Sequence, residues 1–491
     1  DLGNTMRQKK NMYPFHCLIG IAIMLLFRLL PINMPNITPV GKQIFGIFIG
    51  TLYLWTTVDP VWSSILCIFM IGTSGYAPMG AVLNTAFGNP TVVQLFFLMI
   101  LMNSLQTNRI SAYIGRFFLT RKFIIGRPWA FTAILFVGSM LIAAFVGCFA
   151  PIFLFWPILY DIFDDIGMKP FEAYPTIMII LIVVACAIGF PVPPYMSNGL
   201  ALISNYTTVS QNLLGTTVTI NNGQWLFVAL IYGFACSAAV ILFTKYVLHP
   251  DVSKLKNLTL EQLNKNPLPP LSRRQKTVAL ICVCFLLSML LPSLFPALPG
   301  MAWLSANSFG MALLFLVILF AVKIDGAPAI TIEENVKVFA WGTYFLVTSA
   351  ILLGGVLTNE STGVTAFLNA ILSPIFTGMS PLVFGAMLLI IGCVLTNVCN
   401  SLVIGMILQP VVATYCLQAG INSAPLVSIM GIFVLSCAIA TPAASPFAAM
   451  LFSNKSWLKS GDIYRYNIMY VVLELVLALL VGLPLANVLI H

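Results

Sequence analysis

Charged residues are scarce in this chain of 491 residues: only 8% are Asp, Glu, Lys or Arg, whereas 60% are hydrophobic. A soluble domain carries roughly 25% charged residues, so the composition excludes a water-soluble enzyme. Histidine is nearly absent, and His16, His249 and His491 lie too far apart to form a catalytic or metal-binding cluster. A glycine-rich phosphate loop is also missing, so ATP is not expected to drive the protein directly. We therefore expect a protein that is not an enzyme and that binds no covalent cofactor.

The 11 cysteines lie almost entirely within apolar stretches, from Cys17 to Cys437. This placement argues against a disulfide framework and against clusters of metal ligands. A small buried hydrophobe is the usual role of cysteine in such surroundings. The first apolar run also lacks a clear small-residue cleavage site, so a cleavable signal peptide is not expected.

Long apolar runs dominate the sequence. Thr277–Leu291, Phe309–Val322 and Ile468–Ile490 approach or exceed the roughly 18–20 residues that cross a bilayer as a helix. The sequence therefore predicts an all-α polytopic membrane protein with about 11 spans, whose surroundings are the lipid bilayer.

A net charge of +9 is compatible with nucleic-acid binding, but the distribution of the charge indicates a membrane topology instead. Most Lys and Arg fall in three segments, 7–10, 109–127 and 245–276. Short loops rich in Lys and Arg stay in the cytoplasm. We assign these segments and the N-terminus to the cytoplasmic side of the cell (inner or plasma) membrane and expect no nucleic-acid partner. The uncharged stretch Ile203–Trp225 is predicted to be an external loop.

The two halves of the chain match at one constant offset. The Thr-Asn pair at 107–108 returns at 358–359, and the Cys-Ala-Ile triplet at 186–188 returns at 437–439. A proline follows each triplet at the same distance, as Pro191 and Pro442. Duplicated halves with broken helices are typical of secondary transporters, whose substrate binds where the halves meet.

Each half contains two interrupted apolar runs. Polar or small residues interrupt 129–159 and 381–413, and backbone groups there need protein or water as a partner, so we predict two re-entrant hairpins. Prolines break 176–202 and 425–452, because proline removes a backbone donor and clashes with the preceding turn. An odd number of spans per half would invert one repeat relative to the other.

These features predict six consecutive segments. They are N-terminal spans at 1–58, a first repeat at 59–245, a cytoplasmic linker at 246–276, further spans at 277–322, a second repeat at 323–454 and a C-terminal span at 455–491.

The tip of the second hairpin is unusually polar. It carries Thr396, Asn397, Asn400 and Ser401 in the middle of an apolar run. Half-helix N-termini attract anions, and carbonyl, Asn and Ser oxygens coordinate a desolvated cation such as sodium. We therefore predict a binding site at this tip, together with the break at 440–446. Hydrogen bonding between helices is the alternative role for these side chains.

The order of hairpin and broken helix resembles the divalent anion/sodium symporter family of the ion transporter superfamily, the sodium-coupled carriers of dicarboxylates and citrate. The resemblance covers roughly 59–454 and includes three short motifs, Ala-Trp-Gly at 340–342, Asn-Ser at 400–401 and Ala-Thr-Pro at 440–442. It implies a homodimer in which a transport domain moves as an elevator against a scaffold that includes 1–58 and 277–322. It also implies sodium as the coupling ion.

The resemblance implies two sets of site residues. The expected substrate contacts are Asn397, Asn400, Ser401, Thr441, Pro442, Cys148, Phe149, Phe190 and Pro191. The expected sodium contacts are Thr396, Asn397, Asn400, Ala440, Ser445, Val146, Gly147 and Gly189.

The first hairpin tip departs from the family, which has a Ser-Asn-Thr signature at both tips. The constant offset places Val146 and Phe149 opposite the two asparagines, whereas alignment on the hairpin prolines places Ala144 and Gly147 there. We hypothesise an asymmetric cavity, polar in the second half and aromatic in the first; packing of the phenylalanines within the transport domain is the alternative. The nearby pair at 197–198 is a further polar candidate.

Glu474 lies inside the last predicted span. An intramembrane carboxylate is a functional candidate by default, and proton transfer, a structural hydrogen bond and a subunit contact all stay open.

The sequence as a whole predicts a cation-coupled, sodium-dependent secondary transporter of small organic anions, di- and tricarboxylates foremost, that works by alternating access. A sodium-independent anion exchanger or a proton-coupled carrier of the same fold is the alternative within this class. An anion channel is the alternative from another class.

Overall fold

A computed structural model describes residues 2–442 and 444–491, with side chains from residue 12 onward except at 197. The chain begins with four helices: α1 (Leu2–Leu26), α2 (Pro39–Thr57), α3 (Pro60–Thr73) and α4 (Met79–Phe87). A 3-10 turn, Phe27–Leu29, follows α1. Side chains cap the N-termini of α2 and α3. Thr38 and Asp59 accept hydrogen bonds from backbone N–H groups in the first turns of these helices.

The next seven helices belong to the first repeat and contain its hairpin and its broken helix. They are α5 (Pro90–Thr107), α6 (Ile110–Leu119), α7 (Pro128–Phe145), α8 (Ala150–Asp165), α9 (Ala173–Gly189), α10 (Ser197–Leu214) and α11 (Asn222–Phe243). A 3-10 turn at Lys122–Ile124 precedes α7, and a π-helical turn at Thr244–Leu248 extends α11. Helices α7 and α8 form the first hairpin, and α9 and α10 are the arms of the first broken helix.

Short elements and two apolar helices connect the repeats. They are a 3-10 turn (Ser253–Asn257), α12 (Leu260–Leu263), α13 (Arg273–Leu294), α14 (Met301–Ala306), a 3-10 turn (Ser308–Gly310), α15 (Met311–Ala321), strands β1 (Lys323–Ile324) and β2 (Ala327–Pro328), and α16 (Ile332–Val336). The strands pair antiparallel. The connecting segment lies against the base of the first hairpin, where the Lys265 ammonium contacts the Asp165 carboxylate at 2.5 Å.

The remaining helices form the second repeat and the C-terminus. They are α17 (Trp341–Thr358), α18 (Val364–Phe376), α19 (Pro381–Thr396), α20 (Ser401–Ala419), α21 (Ala424–Ser436), α22 (Pro446–Ser453), α23 (Ser460–Leu477) and α24 (Leu483–Leu489). A 3-10 turn, Glu360–Thr362, precedes α18, and a π-helical turn, Ala478–Gly482, joins α23 to α24. Helices α19 and α20 form the second hairpin, and α21 and α22 are the arms of the second broken helix.

The helices repeat at the same offset as the sequence. The offset that maps residue 107 onto residue 358 also maps the starts of α5, α8 and α9 onto the starts of α17, α20 and α21. It maps the ends of α5 and α7 onto the ends of α17 and α19 as well. The correspondence is lost after α9 and α21, where the second arms begin. Of the two possible alignments of the hairpin tips, the structure therefore supports the one that pairs Phe149 with Asn400.

The two hairpins open at opposite ends of the helical bundle. The base of α8 lies beside the end of α22, because Asn454 Nδ2 donates to Tyr160 Oη at 2.7 Å. The base of α20 leads into Ser423, whose Oγ accepts a hydrogen bond from Tyr206 Oη of α10 at 2.5 Å. Since each hairpin base lies beside the far arm of the other repeat's broken helix, the repeats are inverted and their tips approach each other inside the protein.

The prediction of an all-α polytopic membrane protein is confirmed. Among the described residues, eight helices are long and apolar enough to cross a membrane. Helix α9 is buried from Tyr174 to Gly189, so this arm of the broken helix lies at the centre of the bundle and does not face lipid.

The predicted external loop Ile203–Trp225 is wrong over its first half, because α10 continues to Leu214. Two of the polar residues that suggested a loop, Asn205 and Ser210, are fully buried instead, and Asn205 Nδ2 donates to Gln409 Oε1 of α20 at 2.7 Å. A polar residue inside a span is satisfied by a neighbouring helix, so it does not mark the end of the span.

Candidate functional site

A cavity of about 230 Å³ lies where the two hairpin tips and the two broken helices meet. Its walls contain residues from both repeats, as expected for a transporter with duplicated halves. Eight of the predicted site residues line it: Val146, Gly147, Cys148, Phe149, Phe190, Asn400, Ser401 and Ser445.

Four half-helices begin at this cavity. The first turns of α8, α10, α20 and α22 reach its wall through Phe149, Asn198, Ser401 and Pro446. The N-terminus of each helix carries unpaired N–H groups and roughly half a positive charge. No Asp, Glu, Lys or Arg occurs among the described residues that line the cavity. The wall therefore combines helix N-termini, which attract anions, with the C-terminal ends of α7 and α9, whose carbonyls attract cations.

Side chains cap the two half-helices of the second repeat that begin at the cavity, α20 and α22, but not the two of the first repeat, α8 and α10. Asn400 Oδ1 accepts hydrogen bonds from Leu402 N at 3.0 Å and Val403 N at 3.4 Å, at the start of α20. Ser445 Oγ accepts a bond from the backbone of α22 at 3.2 Å. Phe149 and Met196 precede α8 and α10 and provide no side-chain cap. At the start of α8, however, Ala150 N and Ile152 N donate to backbone oxygens and Pro151 has no N–H, so the absence of a cap leaves no free donor there.

Asn397 does not line the cavity; it joins the second hairpin tip to the second break. Its Oδ1 accepts hydrogen bonds from Ile439 N at 3.1 Å and Ala440 N at 2.9 Å, while its Nδ2 donates to Cys393 O at 2.8 Å. Thr441 Oγ1 donates to the backbone oxygen of Asn397 at 2.6 Å. Asn397 and Thr441 therefore hold the unwound segment in place.

The other predicted residues that do not line the cavity also have structural contacts. Thr396 Oγ1 donates to Val434 O at 2.8 Å, and the carbonyl of Pro191 accepts a bond from Trp225 Nε1 at 2.8 Å. Pro442 is exposed, and Gly189 lies against the backbone of α7. Seven predicted residues thus lie outside the wall of the cavity: Thr396, Asn397, Ala440, Thr441, Pro442, Gly189 and Pro191.

The cavity wall also contains polar residues that the sequence did not reveal. Asn103 and Gln106 of α5 and Thr343 of α17 line it, together with Asn198. A side chain added at Gly147 would come within 2.7 Å of Gln106 Nε2, so this amide lies directly against the first tip. Asn198 Oδ1 is buried and has no hydrogen-bond partner. The side chain of the other residue in that candidate pair, at 197, lies outside the described part. The sequence signal that could have revealed them is the presence of two amides, Asn103 and Gln106, in the apolar run of α5.

Three phenylalanine rings form one wall of the cavity. The ring centroid of Phe447 lies 4.8 Å from that of Phe149 and 5.3 Å from that of Phe190. Phe447 belongs to α22, so the aromatic wall comes from both repeats rather than from the first alone.

Comparison with known proteins shows a similarity in fold but none in sequence family. No family model matches the sequence, and no curated protein matches it. Among solved structures, the YdaH transporter of Alcanivorax borkumensis, described as having an unusual topology, is similar with a TM-score of 0.53. The match covers 97% of this chain and 98% of that chain at 12% sequence identity. At this identity the likeness concerns the fold alone: this chain has the fold of a multi-pass membrane transporter.

Proposed function

We propose that this protein is a cation-coupled secondary active transporter of small organic anions that works by alternating access. The observation that supports this most strongly is that the ends of half-helices from both repeats meet at one cavity without charged side chains. An anion bound there would be stabilised by backbone N–H groups and helix dipoles.

Di- and tricarboxylates are the proposed substrate class. The cavity of about 230 Å³ suits a small solute, because pockets for drug-sized ligands measure roughly 300–1,000 Å³. Asn103, Gln106 and Ser401 provide hydrogen-bonding groups for carboxylate oxygens, while the phenylalanine wall would contact the carbon chain. The resemblance of the sequence to the divalent anion/sodium symporters points to the same class.

Sodium is the proposed coupling ion, and backbone carbonyls near Val146 and Gly147 are its candidate ligands. One observation favours a second candidate, a proton-coupled or sodium-independent carrier of the same fold. The side-chain oxygens of Asn397 and Asn400, predicted as sodium ligands, each accept hydrogen bonds from two backbone N–H groups. These oxygens are thus already engaged.

We further propose that the hairpins and broken helices move together as a transport domain. The remaining spans would form a scaffold at the interface of a homodimer. The inverted arrangement of the repeats supports such a mechanism, because it provides equivalent openings towards the two sides of the membrane.

Counterflow in liposomes tests the proposal. Vesicles that contain purified protein and unlabelled succinate or citrate are diluted into buffer with the labelled compound, with and without sodium. We expect saturable, transient accumulation of label. Non-saturable entry that depends only on the membrane potential would indicate an anion channel, and entry indistinguishable from empty vesicles for all carboxylates tested would overturn the substrate class.

A further inference from the structure

Glu474 of α23 is completely buried, with 0% exposure. Neither of its carboxylate oxygens has a hydrogen-bond partner within the described structure, because the neighbouring hydroxyl of Ser436 donates to Phe433 O at 3.0 Å instead. The side chain lies outside the cavity between the tips and takes no part in the site described above. A buried carboxylate without a donor is costly when ionised, so its presence requires an explanation.

The titratable groups that face Glu474 carry no positive charge. They are Tyr232 and Cys236 of α11, Cys393 of α19 and Cys437 after α21. The phenol of Tyr232 donates to the backbone oxygen of Glu474 at 3.1 Å and not to its carboxylate. Within the described part of the chain, therefore, no basic residue neutralises this carboxylate.

The end of a half-helix makes an ionised carboxylate still less favourable. Ser436, beside Glu474, is the last residue of α21, and the C-terminus of a helix carries a partial negative charge. A cation must therefore accompany the carboxylate. Hard metal cations prefer several oxygen ligands, whereas three of the four titratable groups facing Glu474 are thiols, which leaves the proton as the better match.

We propose that Glu474 binds the proton that crosses the membrane together with the anion. The carboxylate takes up one proton from one side and releases it to the other, without any further chemical change. This inference rests on the proposed transport of organic anions and develops its second candidate, the proton-coupled carrier, in place of sodium coupling.

Hydrogen bonds connect the surroundings of Glu474 to the cavity. Cys437 faces Glu474, and the next residue, Ala438, accepts a bond through its carbonyl oxygen from Ser445 Oγ at 2.5 Å. Ser445 lines the cavity and caps α22. A change of charge at Glu474 thus acts on a segment that is bonded directly to the wall of the binding site.

A second residue of α23 contacts the same unwound segment. Asn467 lies two helical turns before Glu474 on the same face, and its Nδ2 donates to Ile439 O at 2.6 Å. Asn467 Oδ1 is buried and has no partner. Helix α23 therefore places one underbonded polar atom, Asn467 Oδ1, behind the second break in addition to the proton-binding carboxylate.

Infrared difference spectroscopy tests the protonation directly and needs no substrate. We expect the reconstituted wild-type protein to show the C=O band of a buried protonated carboxyl group, shifted in D2O and lost in Glu474→Gln. The exposed Glu360 provides the matched control, and Glu360→Gln should keep the band. A wild-type spectrum without the band at any pH would overturn the inference even if the variants fold poorly.

Proton movement is measured with a pH-sensitive dye inside liposomes after succinate or citrate is added outside. We expect internal acidification with the wild-type protein and with Glu360→Gln. With Glu474→Gln the acidification should be lost while labelled substrate still exchanges. Equal acidification with Glu474→Gln, or sodium-dependent uptake by the wild-type protein without acidification, would overturn the proton assignment.

Failure of the Glu474 assignment and failure of the proposed transport give different experimental results. Counterflow without proton movement contradicts the role of Glu474 but leaves the proposed transport of carboxylates intact. Absence of counterflow for every carboxylate contradicts the proposed function, and the infrared band then decides alone whether Glu474 holds a proton.

Discussion

Asn397 Oδ1 accepts the backbone N–H of Ala440 at 2.9 Å, which joins the second hairpin tip directly to the break between α21 and α22. The N–H of Ile439 donates to the same oxygen at 3.1 Å. Asn397 and Ala440 are both buried. Because water does not reach such groups, the amide provides the hydrogen bonds that an unwound helix loses inside a membrane.

Asn397→Ala should therefore destabilise the protein without touching the cavity wall. It leaves two buried N–H groups unpaired, and each unsatisfied group costs about 1–3 kcal/mol. We expect a lower melting temperature in detergent and a loss of counterflow. Asn307, which is exposed, provides the control: Asn307→Ala should melt like the wild type. Equal melting of the two variants would show that Asn397 does not hold the break.

Phe149 occupies in the first repeat the position that Asn400 occupies in the second, immediately before the hairpin's second helix. Phe149→Asn should provide α8 with the missing cap, which is worth about 0.5–2 kcal/mol. It also removes the ring that packs on Phe447 at 4.8 Å. We expect the preference among carboxylates to shift towards more polar compounds.

Ligand-induced thermal shifts with a panel of mono-, di- and tricarboxylates measure that preference. Phe149→Leu is the matched control, because it keeps an apolar side chain but cannot cap the helix. An unchanged order of ligands in Phe149→Asn would show that the aromatic wall only packs the protein and does not select the substrate.

Cys148 provides a chemical probe of the cavity. Its thiol is half-buried at the first tip and lines the cavity, whereas Cys186 of α9 is fully buried and does not. We expect a small maleimide to inhibit counterflow by modifying Cys148, and Cys148→Ser to resist it. Bound citrate should slow the modification about tenfold at a concentration about ten times its Kd, by simple mass action. Modification of Cys148 at the same rate with and without citrate would place the substrate elsewhere.

The sequence predicted the features that depend on local chemistry. Prolines and polar residues inside apolar runs marked both hairpins and both breaks, because each removes or competes for a helical hydrogen bond. The constant offset predicted the repeats and, through Phe149 and Asn400, the difference between their tips. These signals lie within short stretches of chain, so no tertiary information was needed.

The orientation of individual polar side chains could not be predicted in the same way. An asparagine at a hairpin tip has the same sequence signature whether it binds a ligand or backbone N–H groups; only the position of Ile439 and Ala440 shows that Asn397 does the latter. Asn103 and Gln106 lie on α5, outside the hairpins, and their place in the cavity depends on helix packing. Asn205 suggested a loop for the same reason, because its contact with Gln409 also depends on helix packing.

Gly189 ends α9 at a point where two helices approach unusually closely. A Cβ atom added there would lie 2.2 Å from the backbone oxygen of Met140 on α7. Neither backbone can move independently, so Gly189→Ala should destabilise the protein by about 1–3 kcal/mol. The shift would also move Phe190, the next residue, which lines the cavity. We therefore expect a lower melting temperature together with weaker counterflow.

Gly461 of α23 provides the control, because no atom lies within 4 Å of a Cβ added there. Gly461→Ala should be neutral or slightly stabilising, by up to about 1 kcal/mol. If both variants melt and transport alike, α7 and α9 do not pack as closely as their backbones indicate.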